Sequence, residues 1–306
     1  MDKGRDLIIM KRLNKILFVP LFVTILAISL PTMCIAAQPP VNLGTTSTYA
    51  ILSGEKITNT GITVINGSTG ADVGIYPGSE FTGQASVTLS GTLHINDPAA
   101  IIAKTDLVAA YDDAAGRTGV TRIESELGGK TLFPGVYDSE DGKFEITGTL
   151  TLDAQGDPDG VFVFKTDTTL ITASASDINI IGSARFCRIF WKVGSSATLG
   201  TNSRFVGHIL ALQSISVDTG ATIQGQLLAR NGSVTLDNNT ITNGLCATIN
   251  ELKLVTPLAT PSVESNSTIN GGKLPKTATP FYNILLIGIL IISIGVIGFV
   301  NKRKYE

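Results

Sequence analysis

Positive charge, histidine and aromatic rings are all scarce in this sequence, and each shortage removes a class of function. Lys and Arg total 23 against 25 Asp and Glu, for a formal net charge of −2. No basic footprint is present, so no nucleic-acid partner is expected. The two histidines, His94 and His208, stand isolated. Acid–base catalysis needs clustered titratable groups, and the sequence shows no such cluster, no zinc-ligand spacing, no nucleophile elbow and no phosphate-cradling loop. Neither an enzyme, a metal nor a cofactor is expected. Asp153, Asp157 and Asp159 are acidic neighbours, but Asp157-Pro158-Asp159-Gly160 reads as a turn. Aromatic residues are few while Gly, Ser, Thr and Asn abound. That balance suits many short strands and turns and argues against a helical bundle.

What is present starts at the two ends. Lys11, Arg12 and Lys15 precede an apolar run over 16–30, and Cys34-Ile35-Ala36-Ala37 supplies small residues for cleavage. Residues 1–37 are therefore predicted to be a signal peptide, cut after Ala36 or Ala37. Residues 281–300 are uncharged, apolar and of membrane-spanning length, and Lys302-Arg303-Lys304 follow, predicting a cytoplasmic C-terminus. Ahead of that span stand Leu274, Pro275, Lys276, Thr277 and Ala278. The order resembles the L-P-x-T-G sorting signal of Gram-positive surface proteins, and a sortase would cut after Thr277. Ala278 departs from the usual Gly, which leaves simple retention of the span in the membrane as the alternative. Residues 250–273 are rich in Thr, Ser, Pro and Asn and read as an extended spacer. The folded domain is expected over 38–249. Expected partners of the C-terminal region are a sortase, the cell wall and the membrane, which places the protein outside a Gram-positive-type cell. Cys187 and Cys246 remain after signal removal and are a candidate disulfide.

Within the domain the sequence repeats about every eighteen residues. Phe205, Ile223 and Ile241 are spaced so, as are Ile209, Leu227 and Leu245. Apolar residues returning in register at a short fixed period predict stacked coils of a β-solenoid. With inward and outward side chains alternating along each strand, three faces emerge. One turns Ser196 with Thr198, Ser214 with Ser216, and Ser233 with Thr235 outward. A second turns Arg204 with Val206, Thr222 with Gln224, and Thr240 with Thr242 outward, with Asp177 and Asn179 on the preceding coil. The third is apolar on both sides at Leu210 and Leu228, so it must be covered. The cover is a helix predicted over about 97–115: Asn96-Asp97-Pro98 supplies the N-cap and first-turn proline, and Gly116 the stop. Its apolar face is read as Ile101, Leu107, Val108, Tyr111 and Ala115, with Lys104 intruding.

The strings Tyr49-Ala50-Ile51-Leu52, 109–117, Leu132-Phe133-Pro134-Gly135-Val136-Tyr137, 161–164, Ile189-Phe190-Trp191-Lys192-Val193 and 226–230 occur in order along the chain. Together they resemble the large microbial ice-binding protein family. The resemblance implies a mainly β fold, a discontinuous right-handed β-solenoid of triangular cross-section with one long α-helix along one face. It implies too that coils from the N-terminal segment complete the stack, and that one flat face adsorbs to ice. Thr219-Gly220-Ala221-Thr222 fits a T-G-x-T pattern of that family. The first-choice ice face is therefore Thr201, Thr219, Thr222, Gln224, Thr240 and Thr242, although Arg204 and Val206 break its regularity. The Ser/Thr pairs at 196, 198, 214, 216, 233 and 235 are the second choice. The alternative is a surface adhesive or structural module of the same fold without ice activity.

Overall fold

The computed structural model describes residues 38–67 and 70–244, which fall within one compact unit. Short strands rich in β-branched residues pair in parallel, coil on coil, in three ladders. One is a separate seven-stranded sheet. Its order is Phe144–Ile146, Leu170–Thr172, Ala197–Leu199, Ile215–Val217, Val234–Asp237, Lys56–Thr60 and Glu80–Thr82. The step from Asp237 to Lys56 is the discontinuity: the coils of the N-terminal segment continue a stack built by the later part of the chain. A second ladder repeats the step, with Thr240–Thr242 pairing to Thr63–Asn66. In the third, Tyr49–Ser53 lies on Thr222–Ala229. Buried amides stitch this seam. Gln226 donates Nε2 to the carbonyls of Thr46 and Tyr49, and Asn243 donates Nδ2 to those of Ser47, Tyr49 and Gly70. A buried carbonyl left without a donor would be costly, so these side chains fix where the N-terminal coils enter.

Inward residues at matching register positions form continuous columns, among them Leu170, Ala197, Ile215, Val234 and Ile57. Aromatic rings pack together in one part of the core. Phe164 stacks on Trp191 with centroids 4.0 Å apart, and Trp191 donates Nε1 to the Val206 carbonyl at 3.1 Å. The long strands Arg204–Ala211 and Thr222–Ala229 each pass from the second ladder into the third. They turn at Gly207 and Gly225, which lie in register on adjacent coils with φ of +113° and +147°. A Cβ on Gly225 would fall 1.9 Å from the Gly207 carbonyl oxygen, so the corner closes only with glycine.

The single α-helix among the described residues runs Pro98–Gly116. The Asp97 carboxylate caps it by accepting from the Ala100 amide at 2.8 Å. It covers the third ladder, where Leu210 and Leu228 are buried between helix and coils. The buried face differs from the expected one. Ala100, Ala103, Lys104, Leu107, Ala110, Tyr111 and Ala114 point inward, whereas Ile101 is exposed and Val108 and Ala115 are half-buried. Alanines win because a helix seated on a sheet needs small residues at the contact, and bulkier isoleucine fits better at the margin.

Lys104 is buried rather than intrusive. Its ammonium donates to the carbonyls of Ala229 and Arg230 where the strand Thr222–Ala229 ends. Burial, assisted by the nearby Arg230 guanidinium, pushes its pKa down to about 7. In the unfolded chain a lysine titrates near ~10.4, so between these values the unfolded state binds more protons and stability rises with pH. Urea midpoints should climb from pH 7 towards pH 10, with a local slope of at most ~1.4 kcal/mol per pH unit. The Lys104→Met variant should flatten that climb, and an unchanged slope would contradict this reading.

Among the described residues no helix is long and apolar enough to cross a membrane. The expected leader over 1–37, the spacer over 250–273, the sorting motif Leu274, Pro275, Lys276, Thr277 and Ala278, and the span over 281–300 all lie outside the described residues. Cys187 is disulfide-bonded, while Cys246 also lies outside them.

Candidate functional site

The outer face of the seven-stranded sheet carries its hydroxyls in register. Thr198 pairs with Ser216, Ser216 with Thr235, Thr235 with Thr58, and Thr58 with Thr82. Five successive coils thus present Ser or Thr at one position, each half-buried or exposed. Glu145 and Ile171, register partners on the two preceding coils, end the file. Beside it Ser196, Ser214 and Ser233 form a second file with a partly internal task. The Ser196 hydroxyl accepts from the Ser214 amide, and the Ser214 hydroxyl accepts from the Ser233 amide. Ser233 itself donates to the Glu55 carboxylate at 2.8 Å. These serines tie successive coils together beside the Thr198 file.

The second-ladder face is less regular. Thr222 pairs with Thr240 and Gln224 with Thr242, and all four are exposed. Thr201 and Thr219 stack in the turn before them, with the Asn202 amide donating to the Thr219 carbonyl at 3.0 Å. Thr219 donates its hydroxyl to the Asp237 carboxylate, and Thr242 donates to Asn66 Oδ1 at 2.8 Å. On one side Arg204 pairs with Asp177 both in register and as an ion pair, and Asn179 occupies the next outward position on that coil. Beyond Thr240 comes Val64. Val206 was expected outward, but it is fully buried. It belongs to the main core cluster together with Phe205 and Ile223. The face therefore dips into an open hollow of about 250 Å³, lined by Arg204, Val206, Thr222, Ile223, Gln224, Thr240 and Thr242.

The two histidines lie away from both faces. His208 is buried beside Phe190, and burial lowers its pKa to about 4. His94 pairs with Asp97 at the helix N-cap at 2.8 Å. The acidic neighbours act within their turn: Asp153 accepts from the Gln155 amide and Asp157 from the Asp159 amide, while Asp159 pairs with Arg188. Among the described residues no group of three or more His, Cys, Asp or Glu is placed to hold a metal ion.

Thr58 and Thr82 were not foreseen as site residues, because the period of the later coils says nothing about which coil the N-terminal segment stacks upon. One signal was available. Ile57-Thr58-Asn59-Thr60 repeats the inward–outward order of Val234-Thr235-Leu236-Asp237.

A stack of parallel rungs bearing surface files of hydroxyls, with its histidines kept away from those faces, defines a repeat protein whose working parts are its outer faces. The chain belongs to the Ice-binding-like family, whose model matches residues 51–242. It is 42% identical over 217 residues to the ice-binding protein of Nostoc sp. (strain HG1), covering 70% of this chain and 78% of that one. The ice-binding protein of Colwellia sp. is 36% identical over 222 residues, covering 67% and 85%. Among solved structures, the crystal structure of an ice-binding protein from an Antarctic biological consortium matches with a TM-score of 0.65. Its sequence identity is 40%, and the match covers 70% of this chain and 96% of that one. The ice-binding protein of the Antarctic ascomycete Antarctomyces psychrotrophicus matches with a TM-score of 0.62 at 40% identity, covering 66% and 98%.

Proposed function

We propose that this protein is exported, held at the cell surface, and adsorbs to ice through the outer face of its seven-stranded sheet. One observation carries the choice of face: the unbroken file Thr198, Ser216, Thr235, Thr58 and Thr82, in a chain whose relatives are named ice-binding proteins. Ice offers a rigid lattice of water oxygens and no side chains to grip. A binding face must hold its own first water layer in a compatible arrangement. Thr suits the task, since its methyl group disfavours disordered water, its hydroxyl anchors ordered water, and β-branching restricts its rotamers. Coils stacked at about 4.7–4.9 Å place those anchors at a spacing close to a repeat of the ice lattice.

The second-ladder residues Thr201, Thr219, Thr222, Gln224, Thr240 and Thr242 form the competing face. The ion pair of Arg204 and the hollow beside it break the planarity that a water layer needs. The coil is right-handed and triangular in section, Cys187 pairs with Cys246, and the leader over 1–37 directs export. The spacer over 250–273 and the motif at Leu274–Ala278 then attach the domain to the wall through a sortase.

A fragment of residues 38–249 should shape growing ice crystals. Ser216→Tyr should remove more than half of that activity and Thr222→Tyr much less, both read as thermal hysteresis. The opposite ranking moves the site to the second ladder. An inactive parent fragment ends the ice reading and leaves the adhesive alternative.

A further inference from the structure

The coil that ends the described chain leaves the stack early. Positions 207, 225 and 243 are eighteen residues apart. The strands carrying Gly207 and Gly225 turn there and continue into the third ladder. The strand before Asn243 stops at Thr242 instead, and the third-ladder place beside Leu227 is taken by Ile51 of the N-terminal segment. The eighteen-residue period sets Leu245 in one column with Ile209 and Leu227, yet with Ile51 in register there the column has no place for it.

Gly244 opens onto a hollow of about 410 Å³ beside this seam. One wall is the segment by which the N-terminal coils enter, where Pro40 is exposed and Leu43 half-buried. The opposite wall includes Cys187 and Phe190, from the coil that carries Ile189–Val193. Cys187 is half-buried and disulfide-bonded. The other cysteines of the chain are Cys34, in the expected leader, and Cys246. Cys246 stands two residues beyond Gly244, a reach of at most about 7 Å for extended chain. A disulfide holds its two Cα atoms about 4.4–6.8 Å apart. A bond from Cys246 to Cys187 therefore carries the chain across the hollow, with Leu245 between two points on its rim.

We propose that residues 245–249 dock in this hollow as a strap, with Leu245 against Pro40 and Leu43 and Cys246 bonded to Cys187. The strap rests on the Cys187–Cys246 pairing given above and adds its consequence: the N-terminal entry segment is clamped onto the stack. Residues 41–43 lie between two other holds. Arg117 donates to the carbonyls of Pro39 and Pro40, and the amides of Gln226 and Asn243 reach the carbonyls of residues 46–49. The strap also sets where a pull on the C-terminal chain is borne. Drawn from Gly244, the load falls first on Asn243 and peels the amide seam. Through Cys246 it passes to the coil at Cys187.

The test is amide hydrogen–deuterium exchange of the full chain in detergent, read by mass spectrometry beside a non-reducing peptide map. The map should join Cys187 to Cys246. Amides of 245–249 should exchange at least tenfold more slowly than those of 262–273. Leu245→Ser, with the bond intact, should speed exchange at least threefold both in 245–249 and in 41–44. Cys246→Ser, which leaves Leu245 in place, should speed the same two regions. In both variants the ladder amides of 205–211 should keep the parent rate. A correct map with 245–249 exchanging as fast as 262–273, or Leu245→Ser without effect on either region, would overturn the strap alone. Acceleration that spreads to 205–211 in both variants would also overturn it, because the segment would then support the whole stack. A map joining Cys187 to any other cysteine would overturn the pairing and the strap together.

Discussion

Gly225→Val should cost more than ~4 kcal/mol and leave little folded protein at ambient temperature, an effect in the exceptional range for a single substitution. The reason is local and geometric. Gly225 sits at φ +147°, a conformation that side-chain-bearing residues rarely adopt, and a Cβ there would meet the Gly207 carbonyl oxygen at 1.9 Å. That oxygen belongs to the backbone of the adjacent coil, so it cannot swing aside as the tip of a side chain could. Relief requires the two coils to part, and parting them breaks the ladder that continues from Gly225 into Gln226, Leu227 and Leu228. Gly148 provides the contrast. It too has a positive φ, +77°, but a Cβ there meets nothing within 4 Å. Gly148→Ala should therefore cost only about 1–2 kcal/mol of backbone strain. Urea denaturation of the two variants separates them; equal costs would show that the corner tolerates side chains and that the close approach is not the constraint.

How far the fold can be read from the amino acids depends on whether the informative residues are neighbours in the chain. The coils from Leu199 to Ile241 announce themselves because their inward residues return at a fixed interval, and the columns Phe205–Ile223–Ile241 and Ile209–Leu227 are observed in register. The helix start is legible because capping is local: Asp97 and Pro98 act on the next turn. The helix face is not, because hydrophobicity ranks Ile101 above Ala103, whereas packing against the coils ranks them by size. Val206 fails for a related reason. Alternation places it outward, but the strand turns at Gly207 immediately after it, and Val206 is fully buried in the core cluster.

The N-terminal coils show what a single sequence leaves out. Their strands have the same composition as the later ones, but nothing local fixes which coil they extend. The seam is set by Gln226 and Asn243 reaching the carbonyls of residues 46–49 and 70, contacts between segments far apart in the chain. The consequence for the site is direct. The hydroxyl file is three coils long if only Thr198, Ser216 and Thr235 are counted, and five once Thr58 and Thr82 join it. A longer file holds a larger ordered water layer, and adsorption strength should grow with it.

That extension makes Thr58 the most telling position on the molecule. Tyrosine at an outward position of a half-exposed strand leaves the buried columns untouched, so Thr58→Tyr should fold like the parent, with an unfolding midpoint within ~0.5 kcal/mol. It should nevertheless place a bulky ring within the hydroxyl file of the face proposed to adsorb to ice. The measurement is the uptake of fluorescently labelled protein into a slowly growing ice front, comparing the parent, Thr58→Tyr and Thr222→Tyr. Uptake should fall severalfold for Thr58→Tyr and change little for Thr222→Tyr. Undiminished uptake of a folded Thr58→Tyr variant would contradict the assignment of the seven-stranded face to ice.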